Sequence, residues 1–162
     1  MTTLHANCVA VESILISEGL PGRIRMLPDA ATTAQLAADQ LGCEVGAIAN
    51  SLIFAVQPDD GGEREPILVM ASGAYRVDVE KVSATVGGRL RRADADFVRT
   101  HTGQPIGGVA PVGHPAPIRT VVDRNLAGYE TLWTGGGIPH AVVPWTYPDL
   151  LRLTGGTEID VV

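Results

Sequence analysis

The sequence predicts a mixed α/β (α+β) fold. Helix-like and strand-like segments alternate along the chain, which is the pattern of α/β and α+β proteins. The 162 residues are 45% hydrophobic and 19% charged, which is the balance of a folded chain with one ordinary core. The sequence contains no internal repeat, low-complexity tract or interdomain linker, so residues 1–162 are predicted to form a single domain.

In the first half of the chain, glycine stops and apolar runs predict two helices and three strands. The first helix carries its apolar residues on one face and ends at Gly19, and the second begins with the capping-box pattern Thr32–Gln35 and ends at Gly42. The polar turn 58–62 separates two apolar strands and predicts a hairpin. The expected elements are a helix at 7–18, a strand at 23–27, a helix at 34–41, and hairpin strands at 51–56 and 67–71.

The second half of the chain repeats this alternation. Asp78 is a typical N-cap, with Gly87 after the last helical residue, and Thr146 with Pro148 marks the start of the last helix. The expected helices are 79–86, 94–102 and 146–154, and the expected strands are 89–91, 118–122, 131–134, 141–143 and 158–162. The terminal valines of the last strand would either cover the chain's own core or extend a sheet across a dimer, so the oligomeric state stays open.

The overall charge argues against a general nucleic-acid binder, because the net charge is −6. Positive charge is nevertheless concentrated locally: Arg89, Arg91, Arg92 and Arg99 fall within eleven residues, and Arg76 lies not far upstream. Such a cluster either holds a few phosphates or forms a solvated face of a strand or helix.

Several classes of protein are disfavoured by simple patterns. No apolar run is long enough to cross a bilayer, and the N-terminus lacks the basic region of a signal peptide. Cys8 and Cys43 match no metal or CxxC spacing, and the four histidines form no HExxH motif. We therefore expect a cytoplasmic protein with no membrane contact, metal or cofactor.

The segment 103–114, GQPIGGVAPVGH, carries the densest signal for a binding site. Its glycines permit close approach and positive φ, and its prolines restrict the chain, so exposed backbone N–H groups would have fixed directions. The loop matches neither a P-loop nor a dinucleotide fingerprint. It is either a grip for an oxygen-rich ligand or a tight structural crossover. His114 at its end would either polarise a water or serve as a hydrogen-bonded structural residue.

The predicted hairpin brings further polar residues together. Asn50 and Ser51 open its first strand, and Ser72, Gly73 and Arg76 follow its second. If the strands pair, residue 50 and residues 72–74 lie near one end of the sheet, where they could line the mouth or floor of a pocket.

Five motifs in a fixed order resemble the YbaK/EbsC family of aminoacyl-tRNA editing domains, which also occur inserted in bacterial prolyl-tRNA synthetases. The resemblance covers roughly residues 7–160. It rests on AIANSLIF at 47–54, SG at 72–73, RADADFV at 92–98, GGVAPVGH at 107–114 and LLRLTGG at 150–156.

The resemblance implies a mixed sheet that is partly curled into a barrel and flanked by helices. It also implies hydrolysis of the ester that joins a wrong amino acid to the 3′ end of a tRNA, without a metal and with help from the substrate's ribose hydroxyl. Such a second hydrolytic site is needed because a synthetase pocket rejects a similar amino acid by only ~1–3 kcal/mol. The implied partners are the tRNA acceptor end and a synthetase.

Carried over with the residues already described, the resemblance gives an expected site. Family members have a lysine where this chain has Asn50, and a serine commonly stands where it has Ala110. An asparagine can hydrogen-bond an ester or phosphate but brings no charge. The expected catalytic residues are Asn50, Gly107, Gly108 and His114; the expected substrate-binding residues are Ser51, Ser72, Gly73, Arg76, Arg92, Val109, Ala110 and Pro111.

Two alternatives remain for the function. The missing lysine is compatible with a non-catalytic module that binds an aminoacyl-tRNA end, a nucleotide or a protein partner. A related hydrolase acting on a small aminoacylated metabolite would show little dependence on salt, because it would need few phosphate contacts.

Overall fold

The computed structural model describes residues 3–162, which form five α-helices and eight strands. The helices are α1 (Ala6–Ser17), α2 (Ala34–Leu41), α3 (Val79–Val86), α4 (Ala95–Thr102) and α5 (Tyr147–Thr154). The strands are β1 (Arg25–Met26), β2 (Ala49–Pro58), β3 (Glu65–Ser72), β4 (Gly88–Arg92), β5 (Arg119–Asp123), β6 (Leu132–Gly135), β7 (Ala141–Trp145) and β8 (Thr157–Ile159). The mixed α/β class is therefore confirmed.

The larger sheet has five strands in the order β4-β2-β3-β5-β8. Strands β2 and β3 form the predicted antiparallel hairpin, in which Asn50 lies opposite Ala71 and Ala49 lies opposite Ser72. β5 and β8 add to the sheet in parallel. The hairpin register places the polar start of β2 beside the polar end of β3, as the sequence predicted.

The smaller sheet has three antiparallel strands in the order β1-β7-β6. A single parallel bridge between Ile48 and Trp133 joins it to the start of β2. The two sheets therefore curl toward each other at one corner without forming a closed barrel.

Burial on both faces of the larger sheet explains why β3 is almost entirely apolar. Leu68 and Met70 face a core shared with α1, α5 and the smaller sheet, whereas Ile67 and Val69 face a second core beneath α3. A strand buried on both faces is expected to be continuously hydrophobic. A third, smaller cluster packs α2 against Ile48 and Trp133.

The structure corrects two expectations about element ends. The N-cap of α2 is Thr33, whose Oγ1 accepts a hydrogen bond from the N–H of Leu36 at 3.2 Å, so the capping pattern begins one residue later than Thr32. Gln35 instead donates to Asp39 at 2.8 Å, along the exposed helix face. The last strand is β8, which ends at Ile159 rather than Val162.

The C-terminal residues pack into the second core, the one beneath α3. Val161 is fully buried there, and its carbonyl oxygen accepts a hydrogen bond from the N–H of Asp78 at 2.7 Å. Over residues 3–162, no helix has both the length and the apolar character needed to cross a membrane.

Candidate functional site

A cleft of about 960 Å³ opens where the two sheets diverge. Its walls come from the first half of β2, the N-terminal ends of α2 and α4, the glycine loop, and the smaller sheet. β4 pairs with β2 only at residues 54–58, which leaves the edge of residues 50–53 without a strand partner on that side. The cleft therefore follows from the limited length of β4 and the single bridge between the sheets.

Asn50 and Ser51 both line this cleft, as expected from the sequence. Asn50 is half-buried, and its side-chain amide has no hydrogen-bond partner within residues 3–162. The Ser51 hydroxyl makes a weak contact of 3.4 Å with the sulfur of Met70. The Asn50 amide is thus free to donate and accept hydrogen bonds with a ligand.

The glycine loop contributes Gly107 and Val109 to the same cleft. Within the described chain, neither backbone N–H has a hydrogen-bond partner. Gly107 has a φ of +87°, a backbone conformation that residues other than glycine rarely adopt. Each of these two lining residues therefore has an unpaired backbone N–H, a group that can stabilise negative charge on an oxygen.

The other loop residues hold the loop in place. The N–H of Ala110 donates to Oε1 of Gln104 at 2.6 Å, and the N–H of Gly108 donates to the carbonyl of Pro105 at 3.0 Å. Ala110 and Pro111 are buried. Gln104 is itself almost fully buried and also donates to the carbonyl of Val112. Sequence reasoning missed this brace, because a single glutamine in a loop has no distinctive pattern.

Gly108 is required for close packing. A Cβ at this position would lie 2.5 Å from the carbonyl carbon of Ile138, which belongs to the backbone. The carbonyl of Gly108 also accepts a hydrogen bond from the N–H of Gly137 at 2.8 Å. Gly108 therefore fixes the glycine loop against the smaller sheet, and its N–H is not among the free donors.

His114 lies outside the cleft lining and is partly buried. Its Nε2 donates to the carbonyl of Ala110 at 2.8 Å, across the base of the loop. Burial lowers the pKa of His114 below its usual value of 6.5, while the bond to Ala110 partly opposes this shift. The structure thus gives His114 a bracing contact within the loop.

Ser72 and Gly73 also lie outside the cleft lining, beneath the start of β2. The Ser72 hydroxyl donates to the carbonyl of Gly46 at 2.8 Å, and the N–H of Gly73 donates to the carbonyl of Ile48 at 2.8 Å. The buried carboxylate of Asp123 accepts from the N–H of Ser72 at 3.0 Å and from the hydroxyl of Tyr75. These contacts position the segment that leads into Asn50.

The two arginines expected at the site occupy different places. Arg92 is exposed and lines the cleft, where it ends β4 opposite Phe54. Arg76 is exposed and does not line it. Trp133 is a wall residue that the sequence analysis did not single out, and the guanidinium of Arg25 lies 5.7 Å from the centre of its ring.

The chemistry available in the cleft is that of neutral donors and one nearby cation. In the part of the chain that the structure describes, no three His, Cys, Asp or Glu side chains are grouped to hold a metal ion. Asp94 also lines the cleft, but its carboxylate accepts from the N–H of Phe97 at 2.8 Å as the N-cap of α4. The cleft can therefore bind a carbonyl or phosphate oxygen through Asn50 and the loop amides.

Residues 28–153 match the model of a family described as the aminoacyl-tRNA editing domain. Among curated proteins, the chain is 29% identical over 118 residues to the uncharacterized protein YwhH of Bacillus subtilis (strain 168). That match covers 73% of this chain and 72% of YwhH.

Two crystal structures share the fold over nearly the whole chain. One is described as a "putative trans-editing enzyme for prolyl tRNA synthetase"; it is 38% identical with a TM-score of 0.87, and the match covers 98% of both chains. The other, hypothetical protein APE2540, is 31% identical with a TM-score of 0.82, and the match covers 94% of this chain and 98% of that one.

Proposed function

This chain belongs to the aminoacyl-tRNA editing domain family, and on that premise we propose that it is a hydrolase of mischarged tRNA. The carrying observation is that Asn50, Gly107 and Val109 line one cleft, and that the Asn50 side-chain amide and the N–H groups of Gly107 and Val109 have no hydrogen-bond partner in the described chain. Mischarged tRNA-Pro is the first substrate to test, because a similar structure is described as a "putative trans-editing enzyme for prolyl tRNA synthetase". The proposed site of action is the cytoplasm.

In the proposed reaction, a water attacks the carbonyl carbon of the aminoacyl ester. The loop N–H groups and the Asn50 amide donate hydrogen bonds to the carbonyl oxygen, which becomes negatively charged in the tetrahedral intermediate. The bond from that carbon to the ribose oxygen then breaks. The neighbouring ribose hydroxyl relays the proton from the water to the leaving oxygen. The products are the free amino acid and a tRNA with an intact 3′ end.

The remaining residues of the expected site act indirectly in this proposal. Gly108, Ala110, Pro111 and His114 hold the loop so that the free amides keep their positions, and Ser72 with Gly73 positions the start of β2. Preorganised donors are effective because they need not reorient during the reaction. Arg92 at the cleft mouth attracts the phosphate of the terminal nucleotide, a role for which Arg76 lies in the wrong place.

Deacylation of Ala-, Cys- and Ser-charged tRNA-Pro by the wild type and by Asn50→Ala tests the proposal. Loss of one preorganised donor to an oxyanion is expected to lower kcat by about 100-fold. Gln57→Ala is the control, since Gln57 lies outside the cleft lining and its side-chain amide donates only to the carbonyl of Gly62 in the hairpin turn. Wild-type protein that cleaves none of these substrates, nor other mischarged tRNAs, would refute hydrolysis. Retained tRNA binding would then favour the non-catalytic module.

A further inference from the structure

Strand β4 has an unusual charge for an acidic protein. Its sequence is GRLRR, and Arg89, Arg91 and Arg92 are all exposed. None of the three lies within 4.0 Å of a carboxylate in the described chain, whereas Arg124 and Arg152 are in ion pairs with Glu158, Asp160, Glu18 and Asp149. The positive charge of β4 is therefore not neutralised within the described chain.

The position of β4 leaves this charge accessible at a sheet edge. β4 is an edge strand of the five-stranded sheet and pairs only with β2. Leu90 is buried, so Arg89 and Arg91 share the opposite face at a spacing of about 7 Å, which is two residues along a strand. Arg92 follows on the alternate face and lines the cleft. The open edge thus presents Arg92 at the cleft, and Arg91 and Arg89 farther from the cleft on the other face of the strand.

The neighbouring residues do not cancel this charge. The segment of β2 that pairs with β4, residues 54–58, contains no charged side chain. Asp94, the nearest acidic residue along the chain, caps α4 and forms no ion pair with these arginines. Charges on edge strands also prevent sheets from pairing with each other, but that role requires neither a positive sign nor continuity with a cleft.

We propose that the β4 edge binds the phosphate backbone of the acceptor stem of an RNA whose 3′ end enters the cleft. The proposal rests on the proposed function, since it places the body of that substrate. Guanidinium groups bind phosphates through charge-assisted hydrogen bonds, and each contact releases condensed counterions. An acidic protein with one local basic edge would bind RNA at that edge and repel it elsewhere.

The test is the salt dependence of binding to an uncharged acceptor-stem minihelix, measured by fluorescence anisotropy. Each lost phosphate contact lowers the slope of log K against log salt by about one, so Arg89→Gln/Arg91→Gln is expected to lower it by about two. Arg119→Gln is the matched control, because Arg119 is exposed on β5, which β2 and β3 separate from β4. Its slope should equal that of the wild type.

In this binding assay the proposal is overturned by a wild type without salt-dependent binding, by an unchanged slope in the double variant, or by an equal loss in Arg119→Gln. Charge reversal separates RNA binding from edge protection. Arg91→Glu keeps a charge on the edge strand, so its mass in light scattering should equal that of the wild type. Its affinity for the minihelix should fall. If Arg91→Glu binds the minihelix as tightly as the wild type does, the charge of β4 serves only to prevent pairing between sheets.

Failure of this inference is distinguishable from failure of the proposed function. Binding of the uncharged minihelix requires no hydrolysis, so it reports on the β4 edge alone. Hydrolysis of a short aminoacyl-adenosine reports on the cleft alone, and its kcat should be unchanged in Arg89→Gln/Arg91→Gln. A double variant that loses this activity as well would contradict a role confined to the RNA body.

Discussion

At the scale of residues, the polar side chains in and around the cleft differ in whether they already have hydrogen-bond partners within the protein. The Asn50 side-chain amide has no partner in the described chain, whereas Gln104, His114 and Ser72 form hydrogen bonds with backbone groups. A buried polar group must be paired within the protein, so these three define the shape of the site. In the proposed function, the groups that bind substrate are the Asn50 amide, the N–H groups of Gly107 and Val109, and Arg92.

His114 should make stability depend on pH. Burial lowers its folded pKa below the usual value of 6.5, so the unfolded state binds more protons at mildly acidic pH. This contribution is fully present above pH 6.5 and is lost as pH falls through the lower folded pKa. His114→Gln, which keeps a donor for the Ala110 carbonyl, should therefore lose less stability between pH 8 and pH 5 than the wild type.

Urea unfolding at each pH measures this difference. The unfolding free energies of the two proteins should converge as the pH falls, because only the wild type has an imidazole to protonate at this position. Parallel pH profiles would contradict the lowered pKa of His114.

At the scale of elements, backbone geometry decides which of two adjacent threonines caps α2. Both are exposed and both line the cleft, yet only Thr33 accepts a hydrogen bond from a helix N–H. The sequence pattern predicts Thr32 as the N-cap, because Gln35 stands three residues after it, as in a capping box. The actual cap depends on where the chain leaves extended geometry, and Thr33 has φ −133° and ψ 159°.

Thr33→Ala should lower the free energy of unfolding by about 1 kcal/mol, because the N–H of Leu36 loses its partner. Thr32→Ala is the matched control and should stay within about 0.5 kcal/mol of the wild type. Chemical denaturation of the two variants measures both values. Equal effects, or a larger effect at Thr32, would contradict Thr33 as the N-cap and support the pattern that begins at Thr32.

At the scale of the whole molecule, the C-terminus completes the core beneath α3. Val161 is fully buried in a cluster that includes Ile67, Val82 and Ile159, while Val162 is 46% exposed. The sequence allowed the terminal valines either to extend a sheet across a dimer or to cover the chain's own core, and Val161 does the latter.

Val161→Ala should lower the free energy of unfolding by about 2 kcal/mol, through lost burial and the cavity it leaves. Val162→Ala should change it by less than about 0.5 kcal/mol, because exposed side chains contribute little. Thermal and urea unfolding measure both effects. A Val161→Ala variant as stable as Val162→Ala would show that the terminus does not close this core.

The sequence by itself determined the class of fold, the hairpin with the strand ends that meet in it, and the identity of the main loop. These follow from local patterns: apolar periodicity selects helices and strands, and glycine and proline mark turns. The same patterns brought Asn50 and Ser51 to the sheet end beside Ser72 and Gly73. They also placed Gly107 in a loop of restricted shape.

Only the tertiary structure decided which of these residues reach the cleft. Asn50, Gly107, Val109 and Arg92 line it, whereas Gly108 packs against Ile138. Contributions from Trp133 and the ends of α2 and α4 required long-range packing that no local pattern encodes. The physical reason is that a site is defined by which polar groups remain unpaired, and pairing depends on partners distant in the chain.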